Sequence, residues 1–143
     1  MSRPALARGS SLIETCVAIA IIGLLSTTAV PPLIEAHQSY GLYAAASEVR
    51  TELHRARILS IVRNQDCRLR VTSNVTYLIE CQTPMWVTIA FHQVIRGFTI
   101  TANNRPEFHP MGNVGPMATI SVWNERGARR KIIISRSGRV RTE

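Results

Sequence analysis

A lone carboxylate inside a long apolar run constrains this chain more than any other feature. From Gly9 to Ile34 the only charged side chain is Glu14, near the start of Leu12-Ile13-Glu14-Thr15-Cys16-Val17-Ala18-Ile19-Ala20-Ile21-Ile22-Gly23-Leu24-Leu25. About 20 apolar residues in a helix span a bilayer, so residues 10–36 are expected to cross a membrane. An acid on such a helix costs about 2.5–3.5 kcal/mol on insertion scales and is usually kept because it has a partner. No lysine or arginine lies between Arg8 and Arg50 to serve. The remaining source is a new α-amino group, made by cutting the short basic leader, residues 1–9, after Gly9. A signal anchor or secretory signal peptide is the alternative; it leaves Glu14 without a role, and the run is too long for a cleaved apolar core.

Beyond the run the pattern changes. Pro31-Pro32 is expected to kink the helix, because each proline removes an amide donor. Leu42, Ala45, Ala46, Val49, Leu53, Ala56 and Leu59 then follow helical spacing, with Glu48, Arg50, Glu52, Arg55 and Arg57 expected outward and Asn64-Gln65-Asp66 ending the helix. After Cys67 come short β runs: 67–72, 76–82, 86–91 and 94–101, then a loop from Arg105 to Gly115. A second hairpin pairs Ala118–Asn124 with Arg130–Arg136, and Arg139-Val140-Arg141 is the last extended segment. A helix followed by antiparallel strands predicts an α+β fold with one sheet laid on the helix. The head is expected over residues 37–143.

Cys16 sits in the apolar run as a small packing residue. Cys67 and Cys81 are expected to pair outside the cytoplasm, where disulfides persist. Folding the chain about Ser73-Asn74-Val75 sets Cys67 opposite Cys81, Leu69 opposite Ile79 and Val71 opposite Tyr77. Opposed strand residues lie ~4.5–5.5 Å apart, within disulfide reach. A metal pair is the alternative, but no histidine or second cysteine pair completes it.

Gly9-Ser10-Ser11-Leu12-Ile13-Glu14 resembles the prepilin-peptidase site of type IV pilins and type II secretion pseudopilins. Gly9, Leu12, Ile13 and Glu14 match, whereas Ser10 stands where phenylalanine is usual, and Pro31 lies where pilin helices commonly carry a proline. The resemblance implies cleavage between Gly9 and Ser10, methylation of the new N-terminus, and pairing of Glu14 with the terminal amine of a neighbouring subunit. Phe108-His109-Pro110-Met111-Gly112 and Ser137-Gly138-Arg139-Val140-Arg141 are similar to elements of the GspH/FimT branch. That branch implies a type IV pilin-like fold, insertion in the bacterial inner membrane, and later transfer to a pilus at the cell surface. Its implied partners are a prepilin peptidase and other major and minor pilins.

The chain carries 17 basic and 9 acidic residues for a net charge of +8, and seven of the basic ones fall among the last 18 residues. These are Arg126, Arg129, Arg130, Lys131, Arg136, Arg139 and Arg141, opposed only by Glu125 and Glu143. In an extended segment Arg139 and Arg141 share a side, and Gly138 before them permits a tight turn. Such a guanidinium fork suits adjacent phosphates, and in the FimT branch a C-terminal Gly-Arg-x-Arg element is associated with DNA capture in natural transformation. The candidate DNA-binding set is therefore Gly138, Arg139 and Arg141, with Arg136, Lys131, Arg130 and Arg129 beside them, and duplex DNA is the implied partner. The other reading is a structural GspH-like pseudopilin of a type II secretion system, whose basic hairpin only solvates the head or contacts other pilins. No enzyme, metal or cofactor is expected. His37, His54, His92 and His109 are scattered without ligand spacing, and Gly112-Asn113-Val114-Gly115 lacks the lysine of a phosphate loop.

Overall fold

The structure, a computed structural model, describes residues 11–143, apart from the side chains at 28–31, 34, 35 and 38. The expected leader and the Gly9–Ser10 bond lie outside the described residues. One helix, α1 (Leu12–Arg63), is helical through Pro31 and Pro32. It ends in a hydrogen-bonded stop: the Asn64 amide donates to Ile61 O at 3.3 Å and the Gln65 amide to Ser60 O at 3.1 Å, with Asn64 at φ 52°. Asparagine is among the few side chains that tolerate this left-handed position.

The chain divides into two compact units, one ending at Gln38 and one running Ser39–Glu143. In the first, the apolar side chains of Leu12, Ile13, Ile19 and Leu24 are 80, 74, 69 and 72 % exposed. Among the described residues, no helix is long and apolar enough to cross a membrane.

In the second unit the helical stripe is buried as its spacing requires. Leu42, Ala45, Ala46, Val49, Leu53 and Ala56 are in the core, and Leu59 packs on its margin. Eight strands follow: β1 (Cys67–Ser73), β2 (Thr76–Thr83), β3 (Met85–Gln93), β4 (Phe98–Ala102), β5 (Glu107–Phe108), β6 (Ala118–Asn124), β7 (Arg129–Ile134) and β8 (Val140–Thr142). They form two antiparallel sheets, not the single sheet expected from the sequence. The first has the order β3-β2-β1-β5 and the second β4-β6-β7-β8. The edge strand β5 of the first sheet lies inside the segment expected to be loop. Glu107 and Phe108 pair with Arg68 and Cys67, so the chain, having entered the second sheet at β4, returns to add an edge strand to the first, with Phe108 completely buried.

The β1–β2 register sets Cys67 against Cys81, Leu69 against Ile79 and Val71 against Tyr77. Cys67 and Cys81 form a disulfide, with Cα atoms 4.1 Å apart. Leu69, Tyr77 and Ile79 from the first sheet and Ile100, Ile120, Val122, Ile132 and Ile134 from the second meet the helical stripe in one cluster. That cluster lies entirely between Leu42 and Val140, so the Ser39–Glu143 unit holds the whole buried core, both sheets and the disulfide. A segment with its own complete core can fold alone.

Candidate functional site

Glu14 lies in the first turn of α1, where a negative charge suits the helix dipole. Its backbone amide donates to Ser11 O at 2.9 Å. Its side chain is exposed among the uncovered residues Leu12, Ile13 and Val17 and has no ion-pair partner among the described residues.

The second group of interest is the β7–β8 edge. The turn Ser135–Gly138 closes with the Gly138 amide donating to Ser135 O at 2.9 Å, and Gly138 adopts φ 76°. Gly138 is not a free tip. It is buried against the loop carrying Gly112, and a side chain there would collide with Gly112 O and the Arg57 guanidinium. Arg57, expected to point to solvent, instead donates from Nε to Gly112 O at 3.1 Å and so clamps this loop. Val140 is buried, while Arg139 and Arg141 are exposed on either side of it. Together with Ile133, Ser135, Ser137 and Glu143 they line a shallow groove of about 360 Å³.

The other basic candidates separate. Arg129 and Lys131 share one face of β7, and Arg136 is exposed beyond its end. Arg130 is on the opposite face, its guanidinium 5.3 Å from the Tyr43 ring of α1, so it packs on the helix and leaves the cluster. None of Arg129, Lys131, Arg136, Arg139 and Arg141 forms an ion pair among the described residues. The first sheet behaves differently. There Arg68 reaches Glu80 at 2.7 Å and Arg70 reaches it at 3.4 Å, so both arginines are paired with one carboxylate.

Two histidines are more engaged than their sequence positions suggest. His92 stacks on Tyr77 at 5.2 Å and its Nε2 lies 3.3 Å from the Glu52 carboxylate of α1, another helix residue expected to face outward. Burial, with Glu48 and Glu52 nearby, pushes the Tyr77 phenol well above its ordinary range and keeps it neutral. His109 Nδ1 is 2.8 Å from Asp66 Oδ1, with Glu107 alongside, and His109 O accepts from Ser60 Oγ at 3.3 Å. These contacts pin the 105–115 loop to the end of α1. Only the strand register, fixing Tyr77 opposite His92, could have signalled the first pair. Burial and the positive charges of Arg50 and Arg57 hold the His54 pKa below its usual value.

The crystal structure of the type IV minor pilin FimU of Pseudomonas aeruginosa is similar, with a TM-score of 0.62 and 18 % identity, over 74 % of this chain and 90 % of that one. The minor pseudopilin EpsH from the type 2 secretion system of Vibrio cholerae matches with a TM-score of 0.63 and 13 % identity, over 71 % of this chain and 95 % of that one. The chain has the type IV pilin-like fold. At this identity the likeness establishes architecture alone. No protein-family model and no curated protein matches the sequence. These two solved structures are of a minor pilin and a minor pseudopilin.

Proposed function

We propose that the chain is a minor type IV pilin of FimT type, a non-catalytic pilus subunit whose C-terminal arginines bind DNA without sequence preference for uptake. The observation that carries this reading is the pair Arg139 and Arg141, exposed and without ion-pair partners among the described residues, after the buried Gly138 turn on a pilin-like head. The precursor is held in the inner membrane by residues 10–36 and is cut after Gly9 by a prepilin peptidase, and Ser10 becomes the methylated N-terminus. The uncovered apolar side chains from Leu12 to Leu25 support burial in lipid and then against neighbouring pilin helices. Removing the leader takes away Arg3 and Arg8 and leaves Glu14 to meet the new amine of an adjacent subunit.

The expected consequence concerns assembly. Glu14→Leu leaves the head folded and the chain in the membrane, but removes it from the sheared surface-filament fraction, measured by immunoblot of cells that make pili. Equal recovery of the variant and the wild-type chain in that fraction overturns the Glu14 assignment.

A second reading is favoured by the comparable likeness to EpsH: a structural pseudopilin of a secretion system, contacting partner subunits or exported protein. It shares the N-terminal chemistry and differs at the basic edge. A gel shift of the Ser39–Glu143 unit on duplex DNA of unrelated sequence separates the two. Retardation that weakens steeply with salt supports the pilin reading, and no retardation supports the pseudopilin.

A further inference from the structure

The second sheet has one face turned to α1 and one turned away. Phe98 against Gly41 and Arg130 over Tyr43 mark the helix side. By strand alternation Thr101, Ser121, Trp123, Arg129 and Lys131 occupy the other side, and Arg141 joins them opposite Ile133. Charge on this face is mostly positive. Its cations have no ion-pair partners among the described residues, and Glu143, backbone-paired with Lys131, is the acid at its edge. Glu125 in the β6–β7 turn points its carboxylate toward Gly97.

Trp123 is the unusual member. Its Nε1 donates to Thr101 Oγ1 at 3.3 Å, and the Arg129 guanidinium is 5.1 Å from its ring centroid. The first sheet also sets an arginine over a tryptophan, Arg68 over Trp86 at 3.8 Å, but Arg68 is committed to Glu80. Arg129 has no acid partner among the described residues, so an oriented ring and an unneutralised cation stand together on an open sheet, and a base takes the ring face as the guanidinium turns from it to the phosphate. That pairing matches an unpaired nucleotide, which offers a free base face beside a phosphate. A duplex offers phosphates and groove edges but no free base face, because its bases are stacked on one another.

We propose that this outward face of the second sheet is a platform for single-stranded DNA, on which Trp123 stacks a base while Arg129, Lys131 and Arg141 hold phosphates, so that unpaired strands bind more tightly than duplex. The proposal rests on the DNA-binding reading above and gives it a preferred substrate form.

The test uses the full chain in detergent micelles and fluorescence anisotropy with a labelled oligothymidylate and a mixed-sequence duplex of equal length, at one salt concentration. The oligothymidylate binds more tightly. Trp123→Ala weakens that binding roughly tenfold, the effect of losing one stacked base, and leaves duplex binding unchanged. Trp123→Phe, which keeps an aromatic face, retains the preference. Equal affinity for the two forms, or a preference that survives Trp123→Ala, overturns the platform while leaving the DNA-binding reading standing. Absence of binding to both forms removes that reading and the platform with it.

Discussion

The double variant Arg139→Ala, Arg141→Ala loses most of its affinity for duplex DNA while its head unfolds at the wild-type temperature. Both side chains are exposed and have no ion-pair partner among the described residues, so their removal takes nothing from the core, and Val140 between them remains buried. If about three phosphates are neutralised, the log–log dependence of affinity on salt has a slope near −2.7, and losing two of those contacts brings it to about −0.9. Anisotropy titrations across a salt series measure the slope directly. An unchanged slope and affinity would move the contact to Arg129 and Lys131 and remove the role assigned to the Gly-Arg-x-Arg element.

Breaking the disulfide has the largest effect expected on stability. Cys67 and Cys81 are fully buried, 14 residues apart in sequence, and join strands whose register they help to fix. In the chain-entropy account a loop of this size contributes about 3 kcal/mol. For a head of this size that corresponds to a fall in the melting midpoint on the order of 12 °C. Cys67→Ala with Cys81→Ala in the Ser39–Glu143 unit, followed by circular dichroism, checks it. Reductant added to the wild-type unit should produce a comparable fall. A midpoint that neither treatment moves contradicts the assignment of the disulfide as the head's main covalent support.

The parts of this fold that were legible in the sequence follow one rule: short-range periodicity decided them. The stripe Leu42 to Ala56 is buried because helical spacing puts it on one side. Alternation in 67–71 and 77–81 alone places Cys67 opposite Cys81, as the strand register does. The same alternation correctly separated Val140 from Arg139 and Arg141. It also held an unused signal, since Arg130 alternates with Ile132 and Ile134 and so belongs to the helix side. What escaped was long-range. A two-residue strand such as β5 has no period, and Phe108 is buried only because Cys67 pairs with it. Arg57 occupies a helix position that alone reads as outward. Its long side chain finds Gly112, 55 residues later, because two loops converge there. Split sheets, the Arg57 clamp and the His109–Asp66 contact all depend on such convergence.

The intact mass of the chain recovered from membranes of cells with an active prepilin peptidase tests the central claim most directly. The account predicts a species beginning at Ser10, shortened by residues 1–9 and carrying one added methyl group. Recovery of the full-length chain alone, in cells that process their other prepilins, would contradict it: Glu14 would then have no new amine to meet, and the head would have no filament to carry its arginines outward.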